Sequence, residues 1–241
     1  MKLSPDMSAY PLCSYFLSGY LSKSRRDELN FPHRSGIFDL YEQLFQSTLR
    51  TLGLTKEALR RKEEFNFDSG DPANLESSIA VLRAVNALQL EGFLNVVLLK
   101  PPQNEPGADI GCERNGQKVC VEVKAITKQS KGHPGSFFEV QLYKKILENL
   151  PKARKQLEAT AIRLRATVKI FACVVNWFAH SIYLVQDDYQ SIVNKLEHDQ
   201  ECEYLTGVEG VLFVTAMGRQ HFFLNECGHR LLEQQRLKES S

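Results

Sequence analysis

The chain has 241 residues, 43% of them hydrophobic and 24% charged, with a formal net charge of +1. That content supplies one good-sized core, or a core with a small appendage, and the near-neutral balance excludes nucleic-acid binding by bulk charge, so any basic surface has to be local. No apolar run approaches a membrane span, and the start of the chain, with Asp6 close behind Lys2 and polar residues interrupting Tyr10–Tyr20, lacks the pattern of a signal peptide. The six cysteines form no C-x-x-C pair and several sit inside apolar runs, which points to a reducing, cytoplasmic setting for a soluble protein.

Taken in chain order, residues 1–70 read as a mainly helical accessory region. Ile37, Leu40, Tyr41, Leu44, Phe45, Leu49 and Leu52 follow helical spacing, which predicts an amphipathic helix over 36–52. Thr55 is placed to cap a second, short helix running to about Lys62. Phe65 to Pro72, with Asp68-Ser69-Gly70-Asp71 inside it, is a break and marks the expected boundary of a main domain over 71–241.

From Ala73 the pattern becomes regular. Leu75, Ile79, Leu82, Asn86 and Leu90 mark a helix closed by Gly92. A short strand over Phe93–Leu99, a loop over Pro101–Gly107 and a hairpin over Ala108–Ala125 follow. Lys128–Gly135 reads as a loop, and Phe137–Arg165 as a helix with an expected interruption before Pro151. Then come a β-rich run at Val168–Phe178, a helix from Asp187 or Asp188 to His198, strands at Gly210–Ala216 and Gln220–Leu224, and a polar helix or frayed end from His229. The succession predicts an α/β protein, a mixed sheet flanked by helices.

The hairpin carries the chemistry. It turns at Asn115-Gly116, the dipeptide that suits a two-residue loop. Such a loop pairs Arg114 with Gln117, and counting outward sets Asp109 opposite Glu122. Alternation puts Lys124 on their face and Ala108, Ile110, Cys112, Val119, Val121 and Val123 on the other, which is the expected core side. Like charges directly opposed destabilise a sheet. A chain that places two carboxylates there has a cation to put between them, and oxygen ligands suit Mg²⁺ or Mn²⁺. The bland alternative is an exposed strand face on which Glu122 and Lys124 are solvated charges.

Asp109, twelve residues, then Glu122-Val123-Lys124 resembles the motif of the PD-(D/E)xK nuclease superfamily. The proline of that motif is absent, since Gly107-Ala108 precede Asp109. The resemblance covers about residues 73–178 and extends, as a chain of elements, to 224. It implies a restriction-endonuclease-like αβββαβ core with the N-terminal helical region appended. It further implies that Asp109, Glu122 and the backbone carbonyl of Val123 ligate the metal, with Lys124 stabilising charge on the phosphate. Glu76, near the start of the preceding helix, is implied as a further catalytic acid.

Between Phe137 and Lys169 lie eight Lys or Arg residues against Glu139, Glu148 and Glu158. Lys144, Lys145, Lys152, Lys155 and Gln156 are candidates for contacting nucleic acid there; an ordinary solvated helix face is the alternative. In the family this helix often points a glutamine or basic residue into the site, for which Gln141, Lys155 and Gln156 are all candidates. Two further chemistries have less support. Cys120 shares the face of Glu122, but no histidine partner is placed beside it. His198, Cys202, His221, Cys227 and His229 fit no standard zinc spacing. Trp177 and the phenylalanine pairs at 137–138 and 222–223 read as core more readily than as base-stacking platforms.

The expectation is therefore a Mg²⁺- or Mn²⁺-dependent phosphodiesterase acting on DNA, as an endonuclease. The alternatives are an RNA-cleaving enzyme and a nucleic-acid-binding or scaffold protein that keeps the fold without cleavage. A homodimer is an assembly that the resemblance allows.

Overall fold

In a computed structural model, the structure describes residues 7–22, 35–62, 65, 67, 72–100, 105–126, 138–175, 186–198 and 205–233. Its helices are α1 (Pro11–Ser22), α2 (Ser35–Leu52), α3 (Lys56–Arg60), α4 (Pro72–Leu90), α5 (Phe138–Leu164), α6 (Gln186–His198) and α7 (Glu226–Glu233). The strands are β1 (Leu94–Leu98), β2 (Ile110–Arg114), β3 (Gln117–Ile126), β4 (Val168–Val175), β5 (Gly210–Thr215) and β6 (Gln220–Leu224). The expected loops over 101–104 and 128–135, and Trp177, lie outside the described residues. No helix among the described residues is long and apolar enough to cross a membrane.

The protein is α/β, with one six-stranded mixed sheet in the order β1-β2-β3-β4-β5-β6. The two hairpin-like ends are antiparallel, whereas β3/β4 and β4/β5 are parallel. Parallel neighbours need a crossover of a dozen or more residues, and α5 and α6 are those crossovers. Both cover one face of the sheet: Leu142, Ile146, Leu150, Ala153 and Leu157 of α5 and Ile192 and Leu196 of α6 pack on Cys120, Phe171 and Phe213. The opposite face, with Val121, Ile170 and Leu212, is covered by Ala84, Val85 and Leu88 of α4 and Leu232 of α7. The middle strands are thus buried on both faces, which is why β4 and β5 read as continuous apolar runs rather than alternating ones.

Helix α4 serves two cores. Its Leu75, Ile79 and Leu82 join Phe16, Leu17, Phe38, Tyr41 and Phe45 in a separate cluster with the N-terminal helices. Having apolar residues around most of its circumference follows from that double burial. The break at 65–72 is therefore a break in sequence pattern across which one core continues. Helix α2 matches the spacing over 36–52, and Thr55 caps α3 as expected, its side chain accepting from the Ala58 amide. The spacing did not signal α1. Pro11 opens it, where a missing N–H is harmless, and the Glu42 carboxylate of α2 accepts from the Leu12 and Cys13 amides at 2.9–3.1 Å, capping it from another element.

Two further expectations are corrected. Helix α5 runs unbroken through Pro151, which sits exposed, so its ring stands clear of the packed face. Helix α7 begins at Glu226, three residues before His229, with the Asn225 side chain accepting from the Gly228 amide at 2.8 Å. The alternative of an exposed strand face does not hold for Glu122, which α5 covers and which is 1% exposed.

The turn itself is as the dipeptide demands. Arg114 pairs with Gln117, and Asn115 and Gly116 have φ of 50° and 71°, two successive left-handed residues that match the twist of a hairpin. Gly116→Val places a β-branched side chain at that φ and is expected to cost about 1–3 kcal/mol. At this chain length each kcal/mol lowers the melting temperature by about 2–4 °C. Differential scanning calorimetry checks this, and an unchanged melting temperature contradicts a left-handed turn at this position.

Candidate active site

The hairpin ladder holds its counted register from Arg114↔Gln117 to Ile110↔Val121 and stops there. Asp109 does not continue it opposite Glu122. Its amide donates to the Val121 carbonyl at 3.1 Å, one residue short of the count, as in a β-bulge, where two residues face one. The break in alternation carries Ala108 to the α5 side of the sheet, away from Ile110, with which it was expected to share a face. The bulge also re-aims the Asp109 side chain, whose Oδ2 accepts from the Val123 amide at 2.8 Å.

Asp109 still reaches Glu122. The two carboxylates, Val123 and Lys124 line one cavity of about 520 Å³. Its walls are the first turns of α4 (Asn74, Ser77, Ser78, Val81), the end of β1 with Leu99, and Asn149, Lys152 and Gln156 of α5. Glu122 is 1% exposed. The Lys124 ammonium donates to Glu122 Oε1 and, at 3.0 Å, to Gln156 Oε1. The Gln156 amide nitrogen donates in turn to the Gly107 carbonyl at 3.0 Å. Glu122 Oε2 is buried and, among the described residues, receives no hydrogen bond.

The electrostatics follow from this geometry. Burial, with the Asp109 carboxylate alongside, pushes the Glu122 carboxyl up to about 8, against the pull of the Lys124 ammonium and its hydrogen bond. Once both acids are ionised, the one ammonium leaves a deficit of positive charge, and a cation among the acids would favour that ionised state. The donors that face the cleft are hard oxygens, the kind that Mg²⁺ and Mn²⁺ take.

The other sequence candidates fall differently. Glu76 is not among the residues lining the cavity. Burial raises its carboxyl to about 7, opposed by the charge of Arg83. Arg83 is itself buried and stacks over the Tyr41 ring of α2 at 5.6 Å, so Glu76 belongs to the contact between α4 and the N-terminal helices. Lys152 and Gln156 line the cavity, whereas Lys144, Lys145 and Lys155 do not. Lys144 and Lys155 are exposed, and Lys145 pairs with Glu148. Of the glutamine and lysine candidates for pointing inward, Gln156 is the one in the cavity lining; the side chain of Gln141 lies outside the described residues.

Sequence reasoning missed Asn74, Ser77, Ser78 and Asn149. The signal was helical spacing: 149, 152 and 156 form one stripe of α5, and 74, 77, 78 and 81 one stripe of α4. Cys120 is fully buried, with burial raising its thiol to about 12, so it is no nucleophile at neutral pH. Of the zinc candidates, His221 stacks on Tyr189 at 4.8 Å and Cys227 and His229 are exposed. Cys202 and the His198 side chain lie outside the described residues. Among the described residues no group of three or more His, Cys, Asp or Glu converges. Phe222 and Phe223 pack on the two cores.

Comparison of the chain with protein-family models, with curated proteins and with solved structures gives no match.

The raised Glu122 carboxyl predicts a pH dependence for metal-free protein. An ordinary unfolded carboxyl titrates near 4.5 and the folded one near 8, so between these values the folded state holds a proton that the unfolded state has released. Stability therefore falls as pH rises through this window and levels off above it. Glu122→Gln removes the contribution. In EDTA, urea unfolding at pH 5 and at pH 8.5 is expected to show the wild type losing more stability than the variant. Parallel losses rule out a raised carboxyl.

Proposed function

We propose that the protein is a metal-dependent phosphodiesterase of the restriction-endonuclease-like kind, cutting DNA internally. The observation that carries this reading is the pairing of Asp109 with a Glu122 whose Oε2 is buried without a donor among the described residues, beside Lys124, in the lining of one cavity. The arrangement αβββαβ over α4–β4 supports it.

Asp109 and Glu122 would hold the ion, with the Val123 carbonyl as a further oxygen ligand. A bound Mg²⁺ or Mn²⁺ supplies a lowered pKa for attacking water and polarisation of the scissile phosphate. The chain's own groups do the rest. Lys124, steadied by Gln156, offers an ammonium to the oxygens on which charge grows during displacement. Lys152, exposed on α5 at the cavity wall, takes a neighbouring phosphate. Asn74, Ser77 and Asn149 offer neutral donors to the strand. Cys13, Cys112, Cys120 and Cys173 are buried and free, which agrees with a reducing compartment such as the cytoplasm.

The test is cleavage of plasmid DNA, single-stranded DNA and RNA by purified protein with Mg²⁺ or Mn²⁺, beside EDTA and Asp109→Ala controls. Metal-dependent cutting of DNA, lost in both controls, is expected. Asp109→Ala is expected to keep or tighten DNA binding, because it removes negative charge near phosphate. Lys124→Ala is expected to lower kcat by about 10²–10³ with little change in binding. Lys152→Ala is expected to weaken binding across sequences and to reduce the salt slope by about 1. Cutting of RNA alone corrects the substrate. Failure of well-folded protein to cut any of the three defeats the reading and leaves binding without cleavage.

A further inference from the structure

Thr160 is a polar residue in an apolar stripe. Leu142, Ile146, Leu150, Ala153 and Leu157 form the buried face of α5, and the next position on that face is Thr160, fully buried. Its hydroxyl accepts from the Ala108 amide at 2.8 Å, across 52 residues of chain. One turn earlier on the same helix, Gln156 donates to the Gly107 carbonyl. Two side chains of α5 thus hold two successive residues of the backbone that leads into Asp109.

Among the described residues, that backbone has no regular strand pairing. The ladder ends at Ile110, and Asp109 sits in the bulge beyond it. Its amide bonds to Val121 and its carbonyl accepts from Leu99 at 2.9 Å, but strand pairing does not extend to 107–108. Where a chain leaves a sheet, a few hydrogen bonds decide the direction of the next side chain. Ala108 stands where the family motif has proline, and a proline has no N–H to give Thr160.

We propose that Thr160 is a positioning residue for Asp109: its buried hydroxyl, with Gln156, fixes the segment 107–108 and so the place of the Asp109 carboxylate beside Glu122. The role rests on the metal-site reading above, but the carboxylate has a reporter that needs no metal, the Val123 amide that donates to Asp109 Oδ2.

Thr160→Val keeps the branched shape and removes the acceptor, Thr160→Ser keeps the hydroxyl, and Thr160→Ala serves where valine leaves the protein unfolded. Far-ultraviolet circular dichroism and thermal unfolding establish the fold of each. In metal-free protein, the Val123 amide resonance and its hydrogen-exchange rate are expected to move toward those of Asp109→Ala in the valine variant, and to stay near wild type in the serine variant. Mn²⁺ titration followed by electron paramagnetic resonance is expected to show roughly tenfold weaker binding for valine and less than a twofold change for serine. A folded valine (or alanine) variant whose Val123 amide matches wild type overturns the proposal, whatever the metal result. Wild type that binds no Mn²⁺, with the Val123 amide responding to valine as expected, defeats the metal reading and leaves the positioning of Asp109 standing.

Discussion

Two carboxyl groups share a cleft in which one of them has lost nearly all contact with water. Withdrawing a carboxylate from solvent is expensive unless it is paired and fully hydrogen-bonded. Glu122 receives one ammonium on one oxygen and, among the described residues, no donor on the other, while the Asp109 carboxyl beside it raises its pKa by like charge and by carboxyl–carboxyl contact. The surrounding structure is what makes so unfavourable a placement tolerable. Strand β3 is central in the sheet and covered on both faces, so the cavity shared with Asp109 is what connects Glu122 to solvent. A folded chain that keeps such a feature gives up stability at this place.

The sheet and the helices divide the work. Strands place the acids, because β3 fixes Glu122 and Lys124 by alternation and the bulge at Asp109 turns its carboxylate inward. Helices α4 and α5 bring neutral amides, hydroxyls and one exposed ammonium to the rim. Gln156 joins the two sets, touching both the lysine of the strand and the backbone ahead of Asp109. The acids are thereby held by elements with little freedom, and the groups at the rim sit on helix faces that substitution can alter without unfolding the sheet.

Much of the fold was legible because its signals are local. The Asn115-Gly116 turn set the hairpin register, and spacing in α2 and α4 reflected their buried faces. Helix α1 escaped because its cap, Glu42, comes from another helix, and tertiary capping leaves no mark in the local pattern. Counting from the turn brought Asp109, Glu122 and Lys124 together correctly as a group, but it could not foresee the bulge, which depends on how 107–108 meet α5. Glu76 lies on α4 outside the cavity lining: periodicity fixes which residues share a face, and α4 has two buried faces to choose between. The same ambiguity hid Ser77 and Asn74, which are its neighbours in sequence and line the cavity.

That double burial of α4 has a mechanical side. One end of the helix forms a wall of the cavity through Asn74, Ser77 and Ser78, and the same turns, through Leu75 and Ile79, are clamped by Phe16, Phe38 and Phe45. A helix moves as a rod over such a distance, so its tilt is a compromise between two sets of packing contacts. The N-terminal helices therefore bear on the width of a cleft to whose described lining α1, α2 and α3 contribute no residue. Exchanging a large ring for a small side chain in that distant cluster would be felt at the cleft as a change in shape, arriving through geometry rather than charge.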